Sequence, residues 1–92
     1  MIVCCGEALI DMLPRETRDG NLSYQPFCGG SIYNTAIALG RLGMKPGFYG
    51  GLSTDFFGDM LRDGLKASHV DLKYTRIWDK PSTLAFVKLT DG

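Results

Sequence analysis

Short apolar runs alternate with two helical patterns along this chain, and that alternation constrains the fold more than any other feature. Ile2-Val3-Cys4-Cys5 is continuously apolar, as suits a strand buried on both faces of a parallel sheet. Ala8-Leu9-Ile10 extends it, with Asp11 at its end. Residues 14–21 are polar and turn-rich and predict a loop or hairpin tip, and Ser23 to Phe27 predicts a short strand. Ile32, Ala36, Ile37, Leu39 and Leu42 recur at helical spacing, with Ser31 as N-cap and Gly43 where a left-handed C-terminal residue is wanted. Gly47-Phe48-Tyr49-Gly50 predicts a strand. Asp55 caps a second helix whose apolar side is Phe56, Phe57, Met60, Leu61 and Leu65. Leu72 to Ile77 and Thr83 to Leu89 predict two more strands, with turn residues Thr90-Asp91-Gly92 behind them. Strands alternating with helices indicate an α/β fold with a largely parallel sheet. Such a sheet ordinarily continues past a point like Gly92, so the expectation is a truncated domain.

Composition narrows the function classes. The 92 residues suffice for one small domain, and 45% hydrophobic with 22% charged residues is ordinary for a soluble globular protein. Ten basic and ten acidic residues cancel, which gives no electrostatic case for nucleic acid or an anionic membrane. No apolar run is long enough to span a bilayer. Glu7 and Asp11 interrupt the first apolar stretch, and no basic segment precedes it, which argues against a signal peptide and for a cytoplasmic protein. Cys4, Cys5 and Cys28 are an odd number without metal-ligand spacing, and the expectation is buried reduced thiols. The single histidine, His69, reads as a helix-end residue.

The most informative stretch is Cys28-Gly29-Gly30-Ser31-Ile32-Tyr33-Asn34-Thr35-Ala36. Two glycines stand immediately before a helix start, where backbone N–H groups have no intrahelical partner. Two readings fit. The glycines let a ligand approach those amides, with the Asn34 amide able to donate to and accept from a hydroxyl. Alternatively they make a plain turn, and Asn34 merely helps to cap. Asp11 has the same duality, as a hydroxyl acceptor or a solvated loop carboxylate. No Walker-type lysine loop and no dinucleotide glycine fingerprint is present, so Gly29-Gly30 is not read as a phosphate loop.

Gly29-Gly30-x-x-x-Asn34-x-Ala36 followed by Gly40-Arg41-Leu42-Gly43 resembles the first signature of the ribokinase-type (PfkB) carbohydrate kinases. Gly6-Glu7-Ala8-Leu9-Ile10-Asp11 resembles the family's first strand and its sugar-binding aspartate. Gly50 through Asp55-Phe56-Phe57-Gly58 resembles the stretch after the first helix, and Leu84-Ala85-Phe86-Val87 with Asp91-Gly92 a lid strand. Residues 6–14 are similar to the fructokinase branch in particular. The resemblance implies that residues 1–92 are the N-terminal portion of a three-layer ribokinase-like fold, with a small lid whose strands lie near 14–28 and 72–90.

The same resemblance implies roles. Asp11, Gly29, Gly30 and Asn34 would bind the sugar, and Phe86 would cover the ring from the lid on the Asp11 side of the sheet, or face a dimer partner. For Phe86 the alternative is ordinary packing. The parent would phosphorylate a sugar hydroxyl, with a fructose-like ketose first and 2-keto-3-deoxygluconate, ribose or a nucleoside as alternatives. ATP and Mg²⁺ would be held, and the catalytic base supplied, outside this segment. A homodimer through the lid strands is implied as well. A non-catalytic sugar-binding or self-associating piece is the rival reading. A Rossmann-like oxidoreductase is disfavoured, because the glycine pair does not directly follow the first strand. Three positions depart from the family pattern: Ser53 where glycine is frequent, Thr54 where an acid is frequent, and His69 where glycine commonly ends the second helix.

Overall fold

A computed structural model describes residues 1–88; the predicted end of the last strand at Leu89 and the turn at 90–92 lie outside the described residues. In chain order the elements are β1 (Val3–Cys5), β2 (Leu9–Glu16), β3 (Leu22–Gly29), α1 (Ser31–Arg41), β4 (Gly47–Tyr49), β5 (Gly51–Ser53), α2 (Phe56–Ala67), β6 (Arg76–Trp78) and β7 (Leu84–Phe86). β1 pairs parallel with β4, and β5 pairs parallel with β6. Gly50 alone separates β4 from β5, and Gly47 bridges to Asp71. Residues 47–53 therefore form the axis of a parallel layer, as the alternation of elements predicted.

The second sheet corrects the reading of the N-terminal strand. Ala8-Leu9-Ile10 does not prolong β1: Gly6 donates to the Tyr49 carbonyl at 3.1 Å, the chain turns away, and Leu9 opens a new strand. β2 runs antiparallel to β3 over eight residue pairs and parallel to β7 over three, giving the order β3-β2-β7. The predicted loop at 14–21 shrinks to a tip at Thr17–Asn21, where Thr17 accepts from both Gly20 and Asn21. Pro14 and Pro26 are tolerated because β3 is an edge and β7 covers β2 only as far as Met12. The strand expected over Leu72–Ile77 is only Arg76–Trp78, since Thr75 N–H closes a turn onto the Leu72 carbonyl. It belongs to the parallel layer; β7 alone of the two late strands joins the β2–β3 hairpin.

The core is Cys4, Ala8, Ile10, Tyr33, Ala36, Phe48, Leu52, Leu61, Leu65 and Val70. α1 buries Tyr33, Ala36 and Gly40, one stripe at helical spacing. Tyr33 was absent from the predicted apolar set because it carries a hydroxyl. Its ring packs edge-on against Phe48, and its O–H donates to the Leu61 carbonyl at 2.9 Å. Burial raises its phenol pKa, aided by the neighbouring Cys28. Leu42, expected on that stripe, is 75% exposed. α2 buries Gly58, Leu61 and Leu65, which turns Phe56 outward at 68% exposure, against expectation. Of the thiols only Cys4 is buried; burial and the adjacent Cys5 raise its pKa. Gly43 and His69 both have positive φ, 81° and 61°, as their helix-end positions predicted. Among the described residues no helix is long and apolar enough to cross a membrane.

The two helix starts differ. Asp55 caps α2 through a 2.8 Å bond from Gly58 N–H. Its carboxylate also accepts from Ser82, at 3.0 Å from the backbone N–H and 2.7 Å from the hydroxyl. These donors, Ser82 N–H foremost, hold its pKa below the usual carboxylate range against the opposing effect of burial. A depressed folded pKa means that the contribution is complete above the unfolded value of about 4 and fades as pH falls below it. The melting temperature of wild type is therefore expected to exceed that of Asp55→Asn at pH 6, with the gap closing below about pH 4. Melting curves that stay a constant distance apart from pH 6 to pH 2 would show that the charge is not what holds this corner. The start of α1 has no such cap: Ser31, predicted as the N-cap, is its first helical residue, Gly30 is the N-cap, and among the described residues no side chain caps the helix start.

Candidate functional site

α1 begins where the parallel strands end. β1 stops at Cys5 and β4 at Tyr49, and a methyl on Gly6 would meet the Ile32 side chain in the first turn of the helix. Loops beyond the carboxyl ends of parallel strands are where open α/β sheets bind ligands. Gly30 reaches this position with φ 102° and ψ 135°, a backbone that side chains rarely adopt. Its carbonyl accepts from Asn34 N–H at 2.8 Å, so Gly30 is the first link of the helix. A Cβ on it would stand 2.8 Å from the Glu7 carbonyl oxygen. The turn at Gly30 therefore requires a glycine for its backbone conformation and for the close Glu7 carbonyl.

Asp11 lies at the middle of the three-stranded sheet, opposite Phe27 of β3 and Ala85 of β7. Alternation along β2 places Leu9, Asp11, Leu13 and Arg15 on one face, together with Phe27 and Gly29. Gly29 pairs with Leu9, so its missing side chain leaves the space that Asp11 fills; a methyl there would collide with Asp11 Oδ2. The glycine thus lets the carboxylate lean toward the Gly30 turn. Asp11 is half-buried, and among the described residues neither of its oxygens has a hydrogen-bond partner. A carboxylate left in that state can accept from two hydroxyls.

The structure brings Asp11, Gly29 and Gly30 together and separates the other two candidates. Asn34 follows one turn inside α1 and is exposed, but it lines a groove between α1 and α2 with Cys28, Tyr33, Ile37 and Arg41. Asp11 lies outside that groove. Phe86 pairs with Met12, one step past Asp11, and so points to the opposite face, contrary to the sequence reading. There it meets Tyr24 edge-on at 5.2 Å between ring centroids and remains 61% exposed. The aromatic on the Asp11 face is Phe27, 37% exposed, with the Arg15 guanidinium 5.5 Å above its ring. Sequence reasoning passed over Phe27 because nothing in the chain states which residues β2 and β3 pair; its only local signal is its nearness to the glycine pair.

The family described as pfkB family carbohydrate kinase matches residues 1–92. Over 92 residues the chain is 55% identical to a fructokinase of Rhizobium leguminosarum bv. trifolii, covering 100% of this chain and 28% of that protein. A crystal structure of fructokinase from Xylella fastidiosa superimposes with a TM-score of 0.88 at 37% identity, over 97% of this chain and 28% of that one. The same organism's fructokinase with bound ATP gives 0.84 at 36% identity, over 92% of this chain and 28% of that one. The chain thus spans a little over a quarter of the length of these relatives.

Proposed function

The chain belongs to the pfkB family of carbohydrate kinases, and from that membership we propose that the whole protein is a cytoplasmic enzyme transferring the γ-phosphoryl group of ATP to a hydroxyl of a fructose-like ketose. The observation that carries the reading is Asp11, a carboxylate given its room by Gly29 and, among the described residues, without a hydrogen-bond partner. Asp11 accepts from two sugar hydroxyls, and the open amides at the start of α1 donate to sugar oxygens. Phe27 offers its ring to the apolar side of the sugar. Asn34 bonds a further hydroxyl if its side chain turns toward the Gly30 end of the helix. Fructokinase relatives matching along the chain favour a ketose.

Among the described residues no three His, Cys, Asp or Glu side chains gather as ligands for an ion. Nucleotide, metal and the base for the sugar hydroxyl belong, on this proposal, to residues outside 1–92. Residues 1–92 supply sugar positioning and part of the lid. The apolar face of the hairpin, with Leu22, Tyr24 and Phe86 exposed at 69%, 39% and 61%, is the surface through which we place a homodimer.

The test compares two proteins against a panel of ketoses, aldoses, sugar acids and nucleosides. The whole protein is expected to consume ATP with a ketose present. The isolated 92-residue chain is expected to consume none and, with Ile2, Val3, Tyr49, Ile77 and Trp78 between 37% and 50% exposed, to self-associate in light scattering. Sugar-independent or absent ATP consumption by the whole protein would overturn the kinase reading. Turnover by the isolated chain would show that the base and phosphate site lie within it.

A further inference from the structure

The contact between Asp55 and Ser82 ties the start of α2 to the segment that leads into β7. Ser82 stands two residues before β7. The intervening residue, Thr83, accepts from Ile10 N–H at 2.9 Å, and Ile10 precedes Asp11. At the far end of β7, Val87 N–H donates to the Met12 carbonyl at 3.1 Å. A route of hydrogen bonds and one peptide link therefore runs from the start of α2 through Asp55, Ser82 and Thr83 to the strand that carries Asp11. The neighbouring bond from Thr54 Oγ1 to Asp79 Oδ1 is 3.5 Å long and exposed, too weak to serve in its place. Between them, residues 76–78 belong to the parallel layer and 84–86 to the outlying sheet, so the chain crosses from one to the other at Ser82.

We propose that Asp55 and Ser82 are a positioning pair for the sugar site: by pinning the crossing into β7, they set where the β2 strand holds Asp11 relative to the start of α1. The inference rests on the kinase reading above, and neither residue touches substrate. Three bonds converge on one carboxylate, and two of them come from Ser82; capping α2 needs only the third. The Gly58 cap does not depend on the Ser82 hydroxyl, so removing that hydroxyl takes away one of the two bonds at the crossing and loosens it without unfolding a helix, while the Ser82 N–H bond to Oδ2 remains.

In the whole protein, Ser82→Ala is expected to raise the KM for sugar about five- to tenfold, the worth of one charge-assisted hydrogen bond in positioning. The KM for ATP and kcat should stay within about twofold, and Ser82→Thr should restore the sugar KM. Amide exchange at Ile10 and Val87 should quicken in Ser82→Ala while Leu65, in the core, is unchanged. An unaltered sugar KM, or kcat and both KM values worsening together, overturns the proposal. If wild type itself shows no sugar-dependent turnover, the kinase reading is what has failed. The exchange data then decide alone: quicker exchange confined to Ile10 and Val87 keeps the pair as the anchor of β2, and no change at either removes it.

Discussion

In the whole protein, Asp11→Ala is expected to weaken sugar binding by about one to two orders of magnitude, since a charged acceptor facing two hydroxyls is worth about 1.5–3 kcal/mol. The effect should fall on sugar affinity and leave folding nearly untouched, because Asp11 bonds no other described residue. Gly29→Ala offers an independent approach to the same atom. Its methyl would collide with Asp11 Oδ2, and the carboxylate, being a side chain, can swing away. Gly29→Ala should therefore reproduce much of the Asp11→Ala loss at an almost unchanged melting temperature. Isothermal titration with the preferred sugar, alongside thermal melts, checks both. Sugar affinity within twofold of wild type for Asp11→Ala would remove this residue from the site.

Gly30→Ala should instead act on the fold. Left-handed and neighbouring backbone regions cost a non-glycine residue about 1–3 kcal/mol. At Gly30 the added Cβ also meets the Glu7 carbonyl oxygen at 2.8 Å, and backbone cannot swing away as a carboxylate does. We expect a loss of about 3 kcal/mol or more, a large part of a domain's total stability. Gly43 is the control, since it has φ 81° but nothing within 4 Å of its Cβ. Gly43→Ala should cost about 1 kcal/mol by strain alone. Equal losses at the two positions in chemical denaturation would show that the Glu7 contact is unimportant. A side chain at Gly30 would therefore disturb the turn as well as any sugar approach. Loss of binding in that variant would report the fold as much as the sugar.

How much of this was legible without coordinates differs from residue to residue. The cap of α2 was readable because Asp55 stands directly before an apolar periodic segment, and capping is a local event within four residues. The positive φ values at Gly43 and His69 were readable for the same reason. The start of β2 was not, because Ala8-Leu9-Ile10 is apolar in either sheet and only the turn at Gly6 assigns it. Tyr33 escaped the predicted core because its hydroxyl counts against burial until the Leu61 carbonyl, 28 residues away, is known to receive it.

By itself the sequence determined the alternation of apolar strand segments with two helices, the glycine pair at the start of α1, and the family motifs that single out Asp11, Gly29, Gly30 and Asn34. These depend on spacing along the chain, and spacing is what a sequence states. Only the tertiary structure decided which side chains share a face. Period-two alternation says that Asp11 and Met12 oppose one another, but the β2–β7 register is what pairs Phe86 with Met12 and Ala85 with Asp11. A shift of one residue would have exchanged them. The same register brings Phe27 beside Asp11, and the crossing at Ser82 ties that strand to Asp55. These contacts join residues far apart in sequence, so they exist only once packing has chosen a single register among those the chain permits.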